Sequence, residues 1–302
     1  MRESYRTTSG GLRFDSFPMR LYEKAKRLGV WDPSELDFTQ DREDWDRLDE
    51  AQRTAILRLT SRFVAGEEAV TIDLLPLVMA VARDGRLEEE LYLTTFLFEE
   101  GKHTQFFSRW LDEVTGSPSG LPDAPPAYSR LFDRELPEAM ERLLDDASPG
   151  ALARASVTYN MIIEGVLAET GYHNYHQSLA VNGFMPGLCE GLVSVKRDES
   201  RHIAYGVYLL SRLVAEDPSV WDVIDERMND LGPLAIEVIA GGYEQYPDKI
   251  SPFGIRQEDA VEFARTQLRK RYDRIARARD RTLDEIEATA EPGEVADLVA
   301  DV

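Results

Sequence analysis

Glu100 and His103 stand three residues apart, and so do Glu199 and His202, each pair inside an apolar stretch of strong helix formers. On an α-helix residues at that spacing share a face about one turn apart, so a carboxylate and an imidazole can close on one metal ion. Each pair has a further carboxylate in an earlier helical stretch, Glu67 before the first and Glu164 before the second. The chemistry on offer is a dinuclear centre held by four carboxylates and two imidazoles, ligands that suit iron or manganese.

The competing reading is a pair of exposed helical faces, with Glu–His contacts worth about 0.2–0.5 kcal/mol. Phase decides against it. Leu93, Phe96, Glu100, His103, Phe107 and Trp110 fall on one three-to-four lattice, as do Leu188, Leu192, Val195, Glu199, His202, Gly206 and Leu209. Ile56, Leu59, Phe63, Glu67, Val70, Leu74 and Val78 align likewise, which selects Glu67 over Glu68. Met161, Glu164, Ala168, Gly171 and Tyr175 do the same for the remaining carboxylate. Four inward carboxylates require a compensating cation, because a bare buried carboxylate is strongly penalised or stays protonated. A rival cluster, Glu169, His173 and His176, also has helical spacing, but His173 lies nine residues from Glu164 and half a turn out of phase.

These residues must be presented by helices, and no convincing alternating strand appears, so the chain is expected to be all-α. A helix near Leu21 to Leu28 and a turn over Trp31 to Phe38 lead to a long helix from about Glu50 to Val81, with Asp49 as its cap and Pro76 as a kink. Gly85 breaks to a second long helix ending at Gly116, and Ser117 to Pro126 reads as a loop. Short helices follow near Tyr128 to Arg134 and Pro137 to Leu144. Ser148 and Pro149 open a third long helix stopping near Asn182-Gly183, and the fourth runs from about Pro186 to Ala215. A helix from Pro218 is expected to be interrupted at Gly232-Pro233, and another spans about Gln257 to Arg277. Carboxylate helix, then Glu-x-x-His helix, twice over, is the arrangement of a ferritin-like four-helix bundle, here with additional helices. Residues 1–282 are read as one dimetal domain, because the site needs both halves. Residues 283–302 are read as an acidic, weakly packed tail.

A net charge of −21 repels a phosphate backbone and excludes nucleic acid as a partner. No run of about eighteen apolar residues is present to span a membrane. Cys189 is the only cysteine, which rules out an intramolecular disulfide and suits a reducing, cytoplasmic setting.

With these residues placed, the chain resembles the ribonucleotide reductase small-subunit superfamily and, more closely, the R2-like ligand-binding oxidases. The resemblance runs from about Phe38 to Tyr246. It is carried by Gly66-Glu67-Glu68-Ala69-Val70-Thr71, Phe98-Glu99-Glu100-Gly101-Lys102-His103-Thr104-Gln105, Arg154-Ala155-Ser156-Val157-Thr158-Tyr159-Asn160 and Asp198-Glu199-Ser200-Arg201-His202. It implies a small-subunit-like fold and a manganese/iron pair, with Glu67, Glu100 and His103 around manganese and Glu164, Glu199 and His202 around iron. Some carboxylates would bridge, and a di-iron pair is the alternative. It further implies oxygen activation beside a bound long-chain fatty acid, an ether cross-link between Val70 and Tyr159, and a homodimer. Val70 shares the face of Glu67, three residues on. Tyr159 lies five residues before Glu164, about 140° away on an α-helix, so spacing alone does not aim both at one point.

Asp198 resembles an acid that orients a ligand histidine, although its spacing suits a solvated carboxylate equally. Tyr172 and Tyr175 are candidates to line the pocket, although an aromatic stripe is usually core. Gly66 and Gly101 sit where bulk beside a ligand would be awkward. Two other functions compete. For a ribonucleotide reductase radical subunit, the position four after His103, where that family usually has its radical tyrosine, is Phe107, and the first ligand is Glu67 where Asp is typical. Ferritin-like iron storage is usually done by shorter chains nearer a bare bundle.

Overall fold

In the computed structural model, which describes residues 7, 10–116 and 124–289, every regular element is helical; an isolated bridge between Ile250 and Arg256 is the only extended pairing among those residues. Helices α1 (Phe17–Leu28) and α2 (Thr39–Arg47) precede two long ones, α3 (Glu50–Arg83) and α4 (Leu87–Trp110). Asp49 caps α3 as expected, in a reciprocal pair with Gln52: its side chain accepts from Gln52 N at 2.8 Å while Gln52 Oε1 accepts from Asp49 N at 3.1 Å. The helix continues through Pro76. Gly85, at φ +72°, turns the chain into α4, which a π turn, Leu111–Thr115, extends to Gly116. Most of the loop expected over Ser117 to Pro126 lies outside the described residues.

After α5 (Pro126–Arg130) and α6 (Leu136–Glu141), Ser148 opens α7 (Pro149–Ser156), its Oγ accepting from Ala151 N at 3.3 Å. The third long helix then departs from expectation. Val157–Ala168 is wound as a π-helix, α8 (Glu169–Tyr175) restores the α pitch, and His176–Ala180 is π again. The wider winding pairs residues five apart rather than four, a geometry found mostly at functional sites.

Helix α9 (Pro186–Glu216) carries the second Glu-x-x-His pair, and α2 fastens its start. Buried Asp41 accepts from Gly187 N and Leu188 N, both at 2.8 Å, and Asp44 Oδ2 accepts from Met185 N at 2.8 Å. Two acids at a helix N-terminus satisfy orphan donors and complement its dipole. Helix α10 (Val220–Gly241) runs unbroken through Gly232-Pro233, contrary to the expected interruption. That glycine serves packing: a Cβ there would lie 2.8 Å from Leu268 Cδ2 on α11 (Gln257–Ala276). The described part of the tail forms α12 (Leu283–Thr289), against α9, with Ile286 buried and Arg20 Nη2 donating to Glu287 O at 2.8 Å. It is packed where weak packing was expected; residues 290–302 lie outside the described residues.

Two apolar clusters meet at the polar interior. Val70, Phe96 and Tyr159 belong to one, Phe107, Tyr172 and Val195 to the other. Each large side chain buried in them contributes about 1.5–3 kcal/mol, which offsets part of the cost of enclosing the acids between them.

Candidate metal centre

The six residues expected as ligands converge. Glu67 comes from α3, Glu100 and His103 from α4, Glu164 from the π segment, and Glu199 and His202 from α9, and all six are buried. They form two groups, Glu67, Glu100, His103 and Glu199, and Glu100, Glu164, Glu199 and His202; within each, one potential ligand atom per residue lies within 4.8 Å of the others. Glu100 and Glu199 belong to both. His103 Nδ1 lies 3.3 Å from Glu199 Oε1 and 3.6 Å from both Glu67 Oε2 and Glu100 Oε2. His202 Nδ1 lies 3.2 Å from Glu100 Oε1, 3.4 Å from Glu199 Oε2 and 3.6 Å from Glu164 Oε1.

Five of the atoms at the centre, Glu100 Oε2, His103 Nδ1, Glu164 Oε1, Glu199 Oε2 and His202 Nδ1, are buried without a hydrogen-bond partner. Buried polar atoms are nearly always satisfied, so five orphans aimed at one space fit a pair of cations. The electrostatics carry the same strain. Burial pushes the Glu67 carboxyl up to about 8. Burial, and then Glu199, push Glu164 well above the carboxylate range. Burial acts on Glu100 too, but His103 and His202 outweigh it and hold that carboxyl low. Both imidazoles are held well above their ordinary value by the acids around them, despite burial.

The outer nitrogens of the histidines each face a carboxylate: Asp198, singled out above, and Glu99, which helical phase does not select. Asp198 Oδ2 lies 3.4 Å from His103 Nε2, and Glu99 Oε2 lies 3.0 Å from His202 Nε2. Arg201 joins the two acids, its Nη2 donating to both Glu99 and Asp198. Lys102 Nζ donates to Asp198 at 3.0 Å and to Gly29 O at 2.8 Å; Trp31 Nε1 donates to Asp198 at 2.7 Å. A repeated local pattern would have found four of these residues: acid, Glu, any residue, base, His, in Glu99-Glu100-Gly101-Lys102-His103 and again in Asp198-Glu199-Ser200-Arg201-His202. Trp31, taken for part of a turn, has no comparable signal.

Tyr159 also enters the site. Its Oη donates to Val70 O at 3.2 Å and lies 3.4 Å from Glu100 Oε1. The π winding explains how: bonding five residues apart brings Tyr159 and Glu164 towards one face, where an α-helix would splay them. Burial, and then Glu100, push the phenol well above its ordinary value, so it remains a neutral donor. Asn160 Nδ2 donates to Glu164 Oε2 at 2.9 Å, and Gly206 on α9 makes room for it, since a Cβ there would lie 2.3 Å from Asn160 Cβ. Tyr172 Oη is 3.5 Å from Glu199 Oε1, and Tyr175 Oη shares a 2.7 Å hydrogen bond with Thr60.

The rival cluster is dispersed. Glu169 is buried 3.8 Å from Arg271 and His173 stacks on Phe263, and the two do not gather with His176. The expectation for Gly101 is overturned: it is exposed, and a Cβ there would meet nothing within 4 Å. Gly66 lines the cavity beside the site, 3.5 Å from Phe132 by the same measure. That cavity is walled largely by apolar side chains, among them Leu59, Phe63, Val70, Ile163 and Leu167. No described helix is long and apolar enough to cross a membrane.

The family model for the ribonucleotide reductase small chain matches residues 18–265. Among solved structures, an R2-like ligand-binding oxidase with a tyrosine replaced by phenylalanine and an anaerobically reconstituted Mn/Fe cofactor is 38% identical, with a TM-score of 0.86, covering 92% of this chain and 100% of that one. A valine-to-isoleucine variant, also with an anaerobically reconstituted Mn/Fe cofactor, is 37% identical at a TM-score of 0.87 over the same shares. An R2-like ligand-binding oxidase with aerobically reconstituted metal cofactor after photoconversion matches at 37% and 0.87, covering 92% and 99%.

Proposed function

Because this chain belongs to the ribonucleotide reductase small chain family of dinuclear metal oxidoreductases, we propose that it is a manganese/iron oxidase acting beside a bound long-chain fatty acid. Glu67, Glu100 and His103 would hold manganese and Glu164, Glu199 and His202 iron; Glu100 and Glu199 belong to both groups of potential ligands. When bound, the metal pair would supply the power to reduce dioxygen and so to remove hydrogen from an unactivated C–H bond. The residues' own part is to exclude water, to hold the histidines through Glu99 and Asp198, and to place the phenol.

The observation that carries this reading is the position of Tyr159, whose Oη sits between the Val70 backbone and the Glu100 carboxylate. Joining these residues breaks the phenol O–H and one C–H bond of the valine side chain and forms one O–C bond. Two protons and two electrons leave for dioxygen. The apolar cavity that Val70 lines, ending at Glu67, Glu100, Glu164 and Glu199, would take an acyl chain with its carboxylate towards the metals. At the position of the radical tyrosine stands Phe107, stacked on Phe63 at 5.0 Å, which offers no phenol for a radical subunit. A cytoplasmic homodimer completes the proposal.

Aerobic assembly with both metals should give a chain two hydrogen atoms lighter by intact mass, with the Val70 and Tyr159 peptides joined. Tyr159→Phe and anaerobic loading should give neither, with both metals retained. A wild-type chain that stays unlinked in oxygen would overturn the cross-link and weaken the oxidase assignment.

A further inference from the structure

The cavity beside the site is electrically polarised. Its acidic lining residues are Glu67, Glu100, Glu164 and Glu199, all of the metal centre, and its basic ones are Arg58 and Arg62. Both arginines lie on α3, one turn apart and ahead of Glu67. At ~1.5 Å per residue the backbones of Arg62 and Arg58 stand roughly 7.5 and 13.5 Å along the helix from Glu67. Helical side chains lean towards the N-terminus, so both guanidinium groups reach farther from the acids.

Among the described residues neither arginine has a carboxylate partner. In a chain of 56 acidic and 35 basic residues, acids are plentiful, and the buried Arg201, Arg212 and Arg227 are each paired with a carboxylate. No carboxylate of the described residues lies within ion-pair distance of Arg58 or Arg62. The charged and phenolic surroundings of Arg62 are Tyr128, Tyr246 and Arg58 itself, and its Nη1 lies against Gly242, where a Cβ would be 3.3 Å away. Two like charges one turn apart oppose each other. Both arginines are half-buried, and a simple fatty acid anchored at the metals would set its methyl end beside them, where it offers them no anionic partner.

We propose that Arg58 and Arg62 form an anion subsite at the outer end of the cavity, and that the ligand is a long-chain compound with an acid at each end. One carboxylate lies at the metals and the second anionic group on the arginine pair; the simplest such compound is an α,ω-dicarboxylic acid. A guanidinium fork matches a carboxylate with two parallel hydrogen bonds, so the pair can hold the outer acid by direct contact. This rests on the fatty-acid reading, and the test separates the two.

Metal-loaded protein is titrated calorimetrically with straight-chain monoacids and with diacids of the same lengths. The best diacid should bind about tenfold or more tighter than its monoacid, the scale of one charge-assisted contact. R58M/R62M should bring the two to equal affinity while leaving monoacid binding in place. Wild-type protein that binds monoacids and gives diacids no advantage overturns the subsite and leaves the fatty-acid reading standing. Binding of diacids alone supports the subsite and overturns the plain fatty acid, and binding of neither overturns both. A diacid preference that survives R58M/R62M assigns the second acid elsewhere and overturns the proposal. Should that variant fail to fold, the wild-type comparison still decides, with R58Q and R62Q singly as milder tests.

Discussion

Glu99 bonds the histidine of the other motif, not its own: its Oε2 lies 3.0 Å from His202 Nε2. Asp198 makes the reciprocal contact with His103, and Arg201 ties the two acids together. Each half of the centre is therefore aimed by the helix that carries the other half. Acids in this position hold a ligand imidazole to one orientation, and their loss costs about 10–100-fold in metal affinity. Glu99→Ala should show that loss in a chelator competition, mainly at the ion nearer His202. Unchanged affinity at both ions would remove the role given to Glu99.

Glu100 belongs to both ligand groups and Glu67 to one. Removing a shared carboxylate should therefore deplete both ions, and removing Glu67 should deplete one. Metal analysis of Glu100→Ala and Glu67→Ala after dialysis distinguishes these outcomes. Equal losses from the two variants would contradict the sharing.

Gly206 gives Asn160 its place, and Asn160 holds Glu164. A methyl group at 206 would stand 2.3 Å from Asn160 Cβ, so one of the two helices must shift. Gly206→Ala should cost about 1–3 kcal/mol in denaturant unfolding, as overpacking does, and should weaken the ion near Glu164. A variant with wild-type stability would show that the π segment yields there.

Stability should also carry one identifiable pH signature. Burial, and then Glu141, raise the Asp73 carboxyl from 3.8 to about 6. The folded chain therefore holds this proton more tightly than the unfolded chain, so the contribution is present at pH below about 4 and is lost as pH rises through 6. Asp73→Asn should leave the melting temperature unchanged near pH 4 and raise it above pH 7. Allowing for solvent screening at this half-buried site, the gain is about 1 kcal/mol. A gain of the same size at both pH values would point to a cause other than this proton.

The six converging residues were legible because helical phase is a property of sequence spacing: Leu93, Phe96, Glu100, His103, Phe107 and Trp110 lie on one stripe and all are buried. Asp49 and Ser148 were legible because a cap depends on its nearest neighbours. What escaped depends on contacts across the bundle. Glu99 lies off the stripe of Glu100, and its partner, His202, comes from another helix; α2 has no comparable local signal, since Asp41 and Asp44 bond Met185, Gly187 and Leu188 at the start of α9. Gly232-Pro233 has the local propensity of a break, whereas the helix continues through it, with Gly232 close against Leu268 of α11. The relation of Tyr159 to Glu164 was illegible for a different reason: angles counted at 100° per residue do not apply across a π segment.

Between Val157 and Ala168 the chain stores information in how many residues it has, not only in which ones. A single deletion there would let the segment relax to the ordinary pitch, with more regular hydrogen bonds, and would turn Tyr159 away from the face of Glu164. The shortened protein could melt at a higher temperature and have no working centre. For this stretch, substitutions are the mild class of change and length changes the severe one, even where every side chain named above is kept.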